Sequence, residues 1–191
     1  TSFSIDQDNR ARNYTVSVWF KPQDISRRQG ILGQDNGGYD FFIRHSDGSS
    51  GDLGIAIGEW VRVEPGGTLE EEEWYHLVIQ LAGDRVYYSL NGSDLQDSGG
   101  NRTNYDSSHM SSLATGDIDP EPHGHHFDGL IDDVRVYNRS LSQSEVEDLY
   151  NERPVSSEGL VLHQDFNEGS EFCDLTSNNA CHKDKSAEGN N

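Results

Sequence analysis

Asp132 is the residue whose chemistry is most constrained by its neighbours in the sequence. Residues 130–137 predict a half-buried strand, one face of which carries Leu130, Asp132, Val134 and Val136. The opposite face then carries Ile131, Asp133, Arg135 and Tyr137. A carboxylate among apolar side chains costs roughly several kcal/mol unless a cation or hydrogen-bond donors compensate it. We therefore expect a metal ion or an arginine beside Asp132.

Catalytic motifs are not found on the predicted elements. Glycosidases place two carboxylates on either side of the scissile bond, and no predicted strand contains a Glu-x-Asp-x-Glu run that would supply them. The sequence also lacks a Gly-x-Ser-x-Gly elbow, a phosphate-binding glycine loop before a helix, and a His-Glu-x-x-His pair. We therefore predict no catalytic residues.

A histidine-rich segment offers a weaker candidate for metal binding. His123, His125 and His126 lie in the run PEPHGHH, whose spacing does not match a closed tetrahedral zinc site. No cysteine joins them, so we predict a hydrated loop. The acidic run at residues 70–73 is also predicted to be a solvated loop, because like charges repel one another.

The elements that must position these residues are mostly short strands. Alternating apolar residues predict strands at residues 14–20, 31–32, 39–44, 53–57, 60–63, 75–81 and 86–90. Asn91 and Gly92 predict a turn, and residues 93–126 predict long loops of the kind that often carry ligand sites. Because helices do not alternate with the strands, the fold class is predicted to be an all-β antiparallel sandwich.

One short helix is predicted over residues 143–150. Ser142 is its expected N-cap, and Glu145 lies three residues later, so the two can form a capping box. Leu141 precedes the cap and can contact Val146 as a hydrophobic staple.

Several stretches resemble laminin G-like domains, which are jelly-roll sandwiches of the concanavalin A type. The most similar is FDGLIDDVRVYNRSLS at residues 127–142, and YTVSVWFKP, WYHLVIQL and VYYSLNG match in the family's order. The resemblance covers residues 14–150 and implies an antiparallel jelly-roll β-sandwich with one concave face.

The resemblance also implies a calcium ion that joins the opening and closing segments of the fold. Calcium takes oxygen ligands, which distant segments of a chain can supply together. The matching positions are Asp132, Asp133, Asp128, Asp165, Asn167 and Asp174. The alternative is that these residues belong only to an acidic surface.

The tail of the chain, residues 153–191, resembles the beginning of a laminin G-like domain rather than its end. Residues 1–152 then form a sandwich that lacks its first strand, and residues 159–166 predict a strand in the tail. An unpaired apolar strand would promote aggregation, so this strand should pair within the chain or be donated to a neighbouring subunit. A third alternative is the truncated start of a following repeat.

The chain is strongly acidic, since 34 acidic and 14 basic residues give a net charge of −20. Such self-repulsion destabilises a compact state unless salt screens it, which favours a protein from a halophile over an ordinary acidic secreted domain. Nucleic acid is not expected as a partner, because its phosphates would be repelled. Membrane insertion is not expected either, because no apolar run reaches the length of a membrane span.

Two kinds of residue predict an extracellular or cell-surface location. Cys173 and Cys181 predict a local disulfide, with two free thiols as the alternative. N-glycosylation acceptors occur at Asn13, Asn91, Asn101 and Asn138.

These observations predict a non-catalytic extracellular module for binding or adhesion, with a carbohydrate or a surface glycoprotein as its partner. Trp60, Tyr105 and His126 are the candidate ligand contacts, because sugars stack on aromatic faces. These aromatic residues could equally belong to the core, which is the favoured position for Trp60. The alternative function is a structural subunit of an extracellular filament, in which copies of the chain exchange strands.

Overall fold

The described residues form two antiparallel β-sheets and one helix. The computed structural model describes residues 13–26, 29–34, 41–45, 53–57, 59–62, 69–101 and 127–166. The strands are β1 (Asn13–Pro22), β2 (Gln29–Gln34), β3 (Phe41–His45), β4 (Leu53–Ile57), β5 (Glu59–Arg62), β6 (Tyr75–Ala82), β7 (Arg85–Leu90), β8 (Gln96–Asn101), β9 (Gly129–Tyr137) and β10 (Leu160–Gln164). The helix is α1 (Gln143–Tyr150).

The strands form a six-stranded sheet in the order β10-β9-β1-β6-β7-β8 and a four-stranded sheet in the order β2-β3-β4-β5. Every described strand pair is antiparallel. The predicted all-β antiparallel sandwich with one short helix is therefore confirmed, and the helix has the predicted bounds.

The main hydrophobic core lies between the two sheets. From the six-stranded sheet it receives alternate residues of β1 and β6, namely Tyr14, Val16, Val18, Phe20, Leu77, Ile79 and Leu81. From the four-stranded sheet it receives Ile31, Leu32 and Leu53, which are at most 3% exposed. Burying each such side chain stabilises the fold by about 1.5–3 kcal/mol, so the facing apolar rows hold the sheets together.

Helix α1 covers the outer face of the six-stranded sheet. Val146 and Leu149 of the helix pack with Val78 and Tyr137 of the sheet, and Leu141 completes this second cluster. Within the described part of the chain, no helix is long and apolar enough to cross a membrane.

Buried polar groups beneath the helix form hydrogen bonds with one another. Thr15 Oγ1 donates to the carbonyl oxygen of Arg139 at 2.8 Å, and the backbone N–H of Leu141 donates to Gln80 Oε1 at 2.7 Å. Both Thr15 and Gln80 are buried, so these bonds fix where the chain leaves β9 and enters α1.

The start of α1 shows the predicted capping box. Ser142 Oγ accepts from the backbone N–H of Glu145 at 3.3 Å, while Glu145 Oε2 accepts from the backbone N–H of Ser142 at 2.9 Å. Arg139 also binds both carboxylate oxygens of Glu145, at 3.0 and 2.5 Å. The hydrogen bond from Arg139 is the main reason why the pKa of Glu145 falls from 4.5 to about 2.

The predicted faces of β9 are wrong because the strand contains a β-bulge. The register with β1 shifts between Ser17 and Trp19, and Asp133 adopts a φ of 46° there. Before the bulge Ile131 faces the main core, and after it Val134 and Val136 do. The extra residue changes the alternation, so Asp132 does not share a face with Val134 and Val136.

The tail strand β10 pairs antiparallel with β9 of the same chain, from Leu160 opposite Tyr137 to Gln164 opposite Val134. Val161, Leu162 and Phe166 are partly buried and pack against the main core. The β9 edge, which would otherwise present unpaired backbone groups, is therefore covered by the tail.

Candidate functional site

Asp133, at the bulge in β9, is the centre of a small ionic cluster. Its Oδ1 accepts from Arg135 Nε at 2.8 Å and from His163 Nε2 of β10 at 2.7 Å. The cluster therefore connects the tail strand to the closing strand. Because Asp133 Oδ1 already accepts from a guanidinium and an imidazole, a calcium ion would have to compete with these two donors for that oxygen.

Asp132 is buried, with 5% of its surface exposed. The register places it opposite Trp19, on the outer face of the six-stranded sheet. Its Oδ1 accepts from the backbone N–H of Asp133 at 2.7 Å, which supplies one donor to the buried carboxylate. Arg135 of the same strand binds the neighbouring Asp133.

Two of the remaining predicted metal ligands lie within the described residues. Asp128 and Asp165 are exposed, and the backbone of Asp128 is fixed by bonds to Gln23 and Gln29 at 2.8 and 2.6 Å. Asn167 and Asp174 lie outside the described residues. Within the described ranges, no group of three or more His, Cys, Asp or Glu side chains could hold a metal ion, so calcium stays a prediction.

The outer face of the six-stranded sheet carries an aromatic cluster that the end of α1 covers. Trp19 stacks on Tyr150 with ring centroids 5.7 Å apart, and the ring of His76 lies 4.9 Å from that of Trp19. His76 Nε2 lies 2.8 Å from Ser17 Oγ, and both residues are fully buried. A Ser-His pair that water cannot reach is a packing feature of this face rather than a nucleophile.

The four-stranded sheet presents a different set of residues. On β4, Leu53 belongs to the main core, so positions 53, 55 and 57 share the inner face and positions 54 and 56 share the outer one. The register pairs Ala56 with Phe42 on one side and with Trp60 on the other. These three positions form one row across the outer face.

A second row lies beside the first. The register pairs Gly54 with Arg44 of β3 and with Arg62 of β5. The middle position of each row lies on β4 and is a small residue, glycine or alanine. The flanking positions on β3 and β5 are large residue types. We call this set of six positions (42, 44, 54, 56, 60 and 62) the outer-face rows.

The structure brings together only part of the predicted ligand site. Trp60 lies in the outer-face rows, whereas Tyr105 and His126 lie outside the described residues. Sequence reasoning missed Phe42, Arg44 and Arg62. The alternation of β4, Leu-Gly-Ile-Ala-Ile, marks its outer positions, but which residues flank them depends on the pairing register.

Three of the predicted glycosylation acceptors can be located. Asn13, Asn91 and Asn138 are exposed, and the first two use Oδ1 to accept from the backbone N–H groups of Gly83 and His76 at 3.0 and 2.9 Å. The side chain of Asn101 and both cysteines, Cys173 and Cys181, lie outside the described residues, so glycosylation and the disulfide stay predictions.

Sequence comparison agrees with this architecture. Residues 2–147 match a laminin G family of the concanavalin A-like lectin/glucanases superfamily, and the chain therefore belongs to that superfamily. The predicted resemblance is confirmed. No curated protein matches the chain in sequence.

Solved structures with a similar fold include a candidate carbohydrate-binding protein, a domain of an arabinanase and a pentraxin. One is a candidate carbohydrate-binding protein from Bacteroides ovatus, with a TM-score of 0.68 and 19% identity over 88% of this chain and 49% of that one. Another is domain 4 of an extracellular GH43 arabinanase from Geobacillus stearothermophilus, in complex with arabinotriose. Its TM-score is 0.52 and its identity 20%, and the match covers 73% of this chain and 66% of that one. A third is a heptameric SAP-like pentraxin from Limulus polyphemus, with a TM-score of 0.53 and 20% identity. The match covers 81% of this chain and 80% of the pentraxin chain. This chain spans about half the length of the first of these.

Proposed function

We propose that the chain is a non-catalytic carbohydrate-binding module that acts outside the cell and contacts its ligand with the outer-face rows. The observation that carries this proposal is the row formed by Phe42, Ala56 and Trp60 across β3, β4 and β5. Two aromatic residue types on either side of a small one suit a sugar ring, whose C–H groups pack on aromatic faces while its hydroxyls remain hydrated.

The rest of the fold supports this choice of face. The outer surface of the six-stranded sheet is covered by α1, and its aromatic cluster of Trp19, His76 and Tyr150 is engaged in that packing. A ligand surface on the other sheet leaves this packing undisturbed. The proposal also agrees with the sugar-related solved structures that share the fold.

A binding role is favoured over catalysis by the residue types on this face. Hydrolysis of a glycosidic bond requires two carboxylates close to the scissile bond. Within the four strands β2 to β5, no outer-face position is Asp or Glu. Pairing of β10 with β9 inside one chain likewise favours a binding module over a filament of donated strands.

Calcium is part of the proposal as a stabilising ion and not as a reactant. It would be held by Asp132 or Asp128 together with oxygen groups of the tail, with Asp133 left to its ion pair. Its role would be to tie the tail to the closing strand.

The test is a binding screen of the purified chain against immobilised glycans, followed by titration calorimetry with the best ligand. We expect Trp60→Ala to weaken binding by about tenfold or more, because a stacked aromatic is commonly a dominant contact. Trp74→Ala is the matched control, since Trp74 directly precedes β6 and lies outside the four-stranded sheet. Equal losses in both variants, or hydrolysis of a bound glycan, would contradict the proposal.

A further inference from the structure

The turn that follows β7 contains two residues that can react with each other. Asn91 and Gly92 both have left-handed backbones, with φ of 51° and 69°. The backbone N–H of Ser93 donates to the carbonyl oxygen of Leu90 at 3.1 Å, which closes the tight two-residue turn that Asn-Gly pairs favour. In such a pair the side-chain amide is open to attack by the next backbone nitrogen, because glycine has no side chain to crowd that nitrogen.

The side chain of Asn91 is held by its carbonyl oxygen. Oδ1 accepts from the backbone N–H of His76 at 2.9 Å, and the backbone N–H of Asn91 donates to the carbonyl oxygen of His76 at 2.8 Å. The first of these bonds polarises the side-chain carbonyl, and it does so at the oxygen where negative charge develops when a nucleophile attacks Cγ. Asn91 is also exposed, so water reaches the amide.

We propose that Asn91 is a site of spontaneous covalent modification, at which the folded chain loses ammonia through a cyclic imide. The backbone nitrogen of Gly92 gives its proton to a base in the solvent and forms a bond to Cγ of Asn91. The bond between Cγ and Nδ2 then breaks, and Nδ2 takes a proton from the solvent and leaves as ammonia. Water afterwards opens the five-membered imide at either carbonyl, which leaves aspartate or isoaspartate at position 91. Water is the only other reactant.

The two products have different consequences for the fold. Aspartate keeps a side-chain oxygen that can accept from the N–H of His76, and it adds one negative charge. Isoaspartate directs the main chain through the side chain of residue 91, which inserts a methylene group before Gly92. The turn has little room to shift, because even a Cβ atom on Gly92 would lie 2.6, 2.8 and 2.9 Å from three atoms of Tyr150. We therefore expect isoaspartate to displace Tyr150 from its stack on Trp19.

The test incubates the full chain at pH 6 and at pH 8 and follows each asparagine by mass spectrometry of proteolytic peptides. The chain is produced without N-glycans, because a glycan on Asn91 would block the reaction. Asn138 is the matched internal control, since it is also exposed but is followed by Arg139, whose side chain crowds the attacking nitrogen. We expect Asn91 to convert at least several-fold faster than Asn138. Its conversion should be faster at pH 8 than at pH 6, because Gly92 must first lose its proton.

Variants then test the consequence for the fold. Asn91→Gln should stop the reaction, because its longer side chain would have to close a six-membered ring, and Asn91→Asp supplies the aspartate product directly. An isoaspartyl methyltransferase measures how much isoaspartate forms. Tryptophan fluorescence should change as isoaspartate accumulates in the wild-type chain, and it should stay constant in Asn91→Gln and change less in Trp19→Phe. Circular dichroism and thermal unfolding verify that each variant is folded, and the comparison of Asn91 with Asn138 on the wild-type chain requires no variant.

Three outcomes would count against the proposal. If Asn91 converts no faster than Asn138 in the wild-type chain, the proposed site is wrong. If Asn91 converts only when the chain is unfolded in urea, the folded turn prevents the reaction and the proposal fails. If isoaspartate forms while fluorescence and Tm stay unchanged, the modification is real but its effect on Tyr150 is wrong. None of these measurements involves a ligand, so their results are independent of the proposed carbohydrate binding.

Discussion

At the scale of single residues, Glu145 connects the sandwich to the helix. It accepts from the N-cap backbone of α1 and from the guanidinium of Arg139, which follows β9. Capping is a local property of a few adjacent residues, which is why Ser142 and Glu145 could be predicted from the sequence. The ion pair between Arg139 and Glu145 could not be predicted, because it depends on the path of the chain after β9.

The pH dependence of this ion pair can be predicted. The folded-state pKa of Glu145 is about 2, below its ordinary value of 4.5, so the ionised form stabilises the fold. That contribution is fully present above pH 4.5 and is lost as the pH falls towards 2. Glu145→Gln keeps a group that can complete the capping box and should cost about 1 kcal/mol at pH 7. The difference from wild type should shrink as the pH falls from 4.5 to 2.

Urea unfolding at several pH values provides the measurement. Glu147→Gln removes the same charge from the same helix without breaking the bond to Arg139, and a change of only a few tenths of a kcal/mol is expected. A constant difference between wild type and Glu145→Gln down to pH 2 would show that the ion pair is not responsible.

The proposed calcium ion gives a second prediction at this scale. An ion that binds only the folded state at 100 times its Kd stabilises that state by about 2.7 kcal/mol, which corresponds to a rise in Tm of several degrees. Adding CaCl2 to the EDTA-treated chain should therefore raise Tm, and Asp132→Asn should reduce that rise. Equal responses to CaCl2 and MgCl2, or none, would count against a calcium site.

At the scale of secondary-structure elements, the end of α1 is held against the hairpin turn between β7 and β8. Gly92 adopts a φ of 69°, and a Cβ atom there would lie 2.6 Å from Cδ1 of Tyr150. The turn and the helix end thus share one small space, and the stack of Tyr150 on Trp19 depends on it.

Gly92→Ala should therefore destabilise the fold by about 2–4 kcal/mol, from left-handed backbone strain together with overpacking. Gly83→Ala is the matched control, because Gly83 has a similar φ of 65° but no atom within 4 Å of the added Cβ. It should cost only about 1–2 kcal/mol. In a Tyr150→Ala background the extra cost of Gly92→Ala over Gly83→Ala should shrink, because the ring is gone and only Cβ of residue 150 remains, at 2.9 Å from the added atom. A double-mutant cycle by urea unfolding would measure this coupling.

The pairing of the tail strand β10 with β9 should keep the chain monomeric. Leu162 is partly buried against the main core, whereas Gln164 at the end of β10 is exposed. Leu162→Glu should detach β10, lower Tm and expose the β9 edge to pairing with other copies. Gln164→Glu introduces the same charge with little effect expected. Light scattering after size exclusion would reveal association, and a stable monomeric Leu162→Glu variant would contradict the prediction.

Strands were predictable from alternation because apolar side chains repeat every second residue, as in β1 and β6. The face on which each side chain lies was less predictable, because the extra residue at Asp133 changes the alternation of β9. The outer-face rows required the register of three strands, which depends on turns and packing outside each strand.

At the scale of the whole molecule, charge is the dominant property. A net charge of −20 makes the folded state repel itself, and salt screens that repulsion. If the chain comes from a halophile, as its composition suggests, its stability should increase with salt.

Thermal unfolding in increasing KCl tests this. Tm should rise most steeply below about 1 M, where the Debye length falls from about 10 Å at 0.1 M to about 3 Å. Sucrose at equal osmolality is the control, because it stabilises proteins by exclusion and does not screen charge. A Tm that is independent of KCl, or that rises equally with sucrose, would exclude charge screening as the cause.

The position of β1 in the six-stranded sheet also determines when the protein can fold. This first described strand lies between β6 and β9, with β9 beginning more than a hundred residues later in the chain. A nascent chain leaving the ribosome must therefore keep the apolar row of β1 incompletely covered until β9 has been synthesised. During this delay the incompletely covered row can associate with other unfolded chains, so aggregation is expected to depend on how soon β9 follows β1.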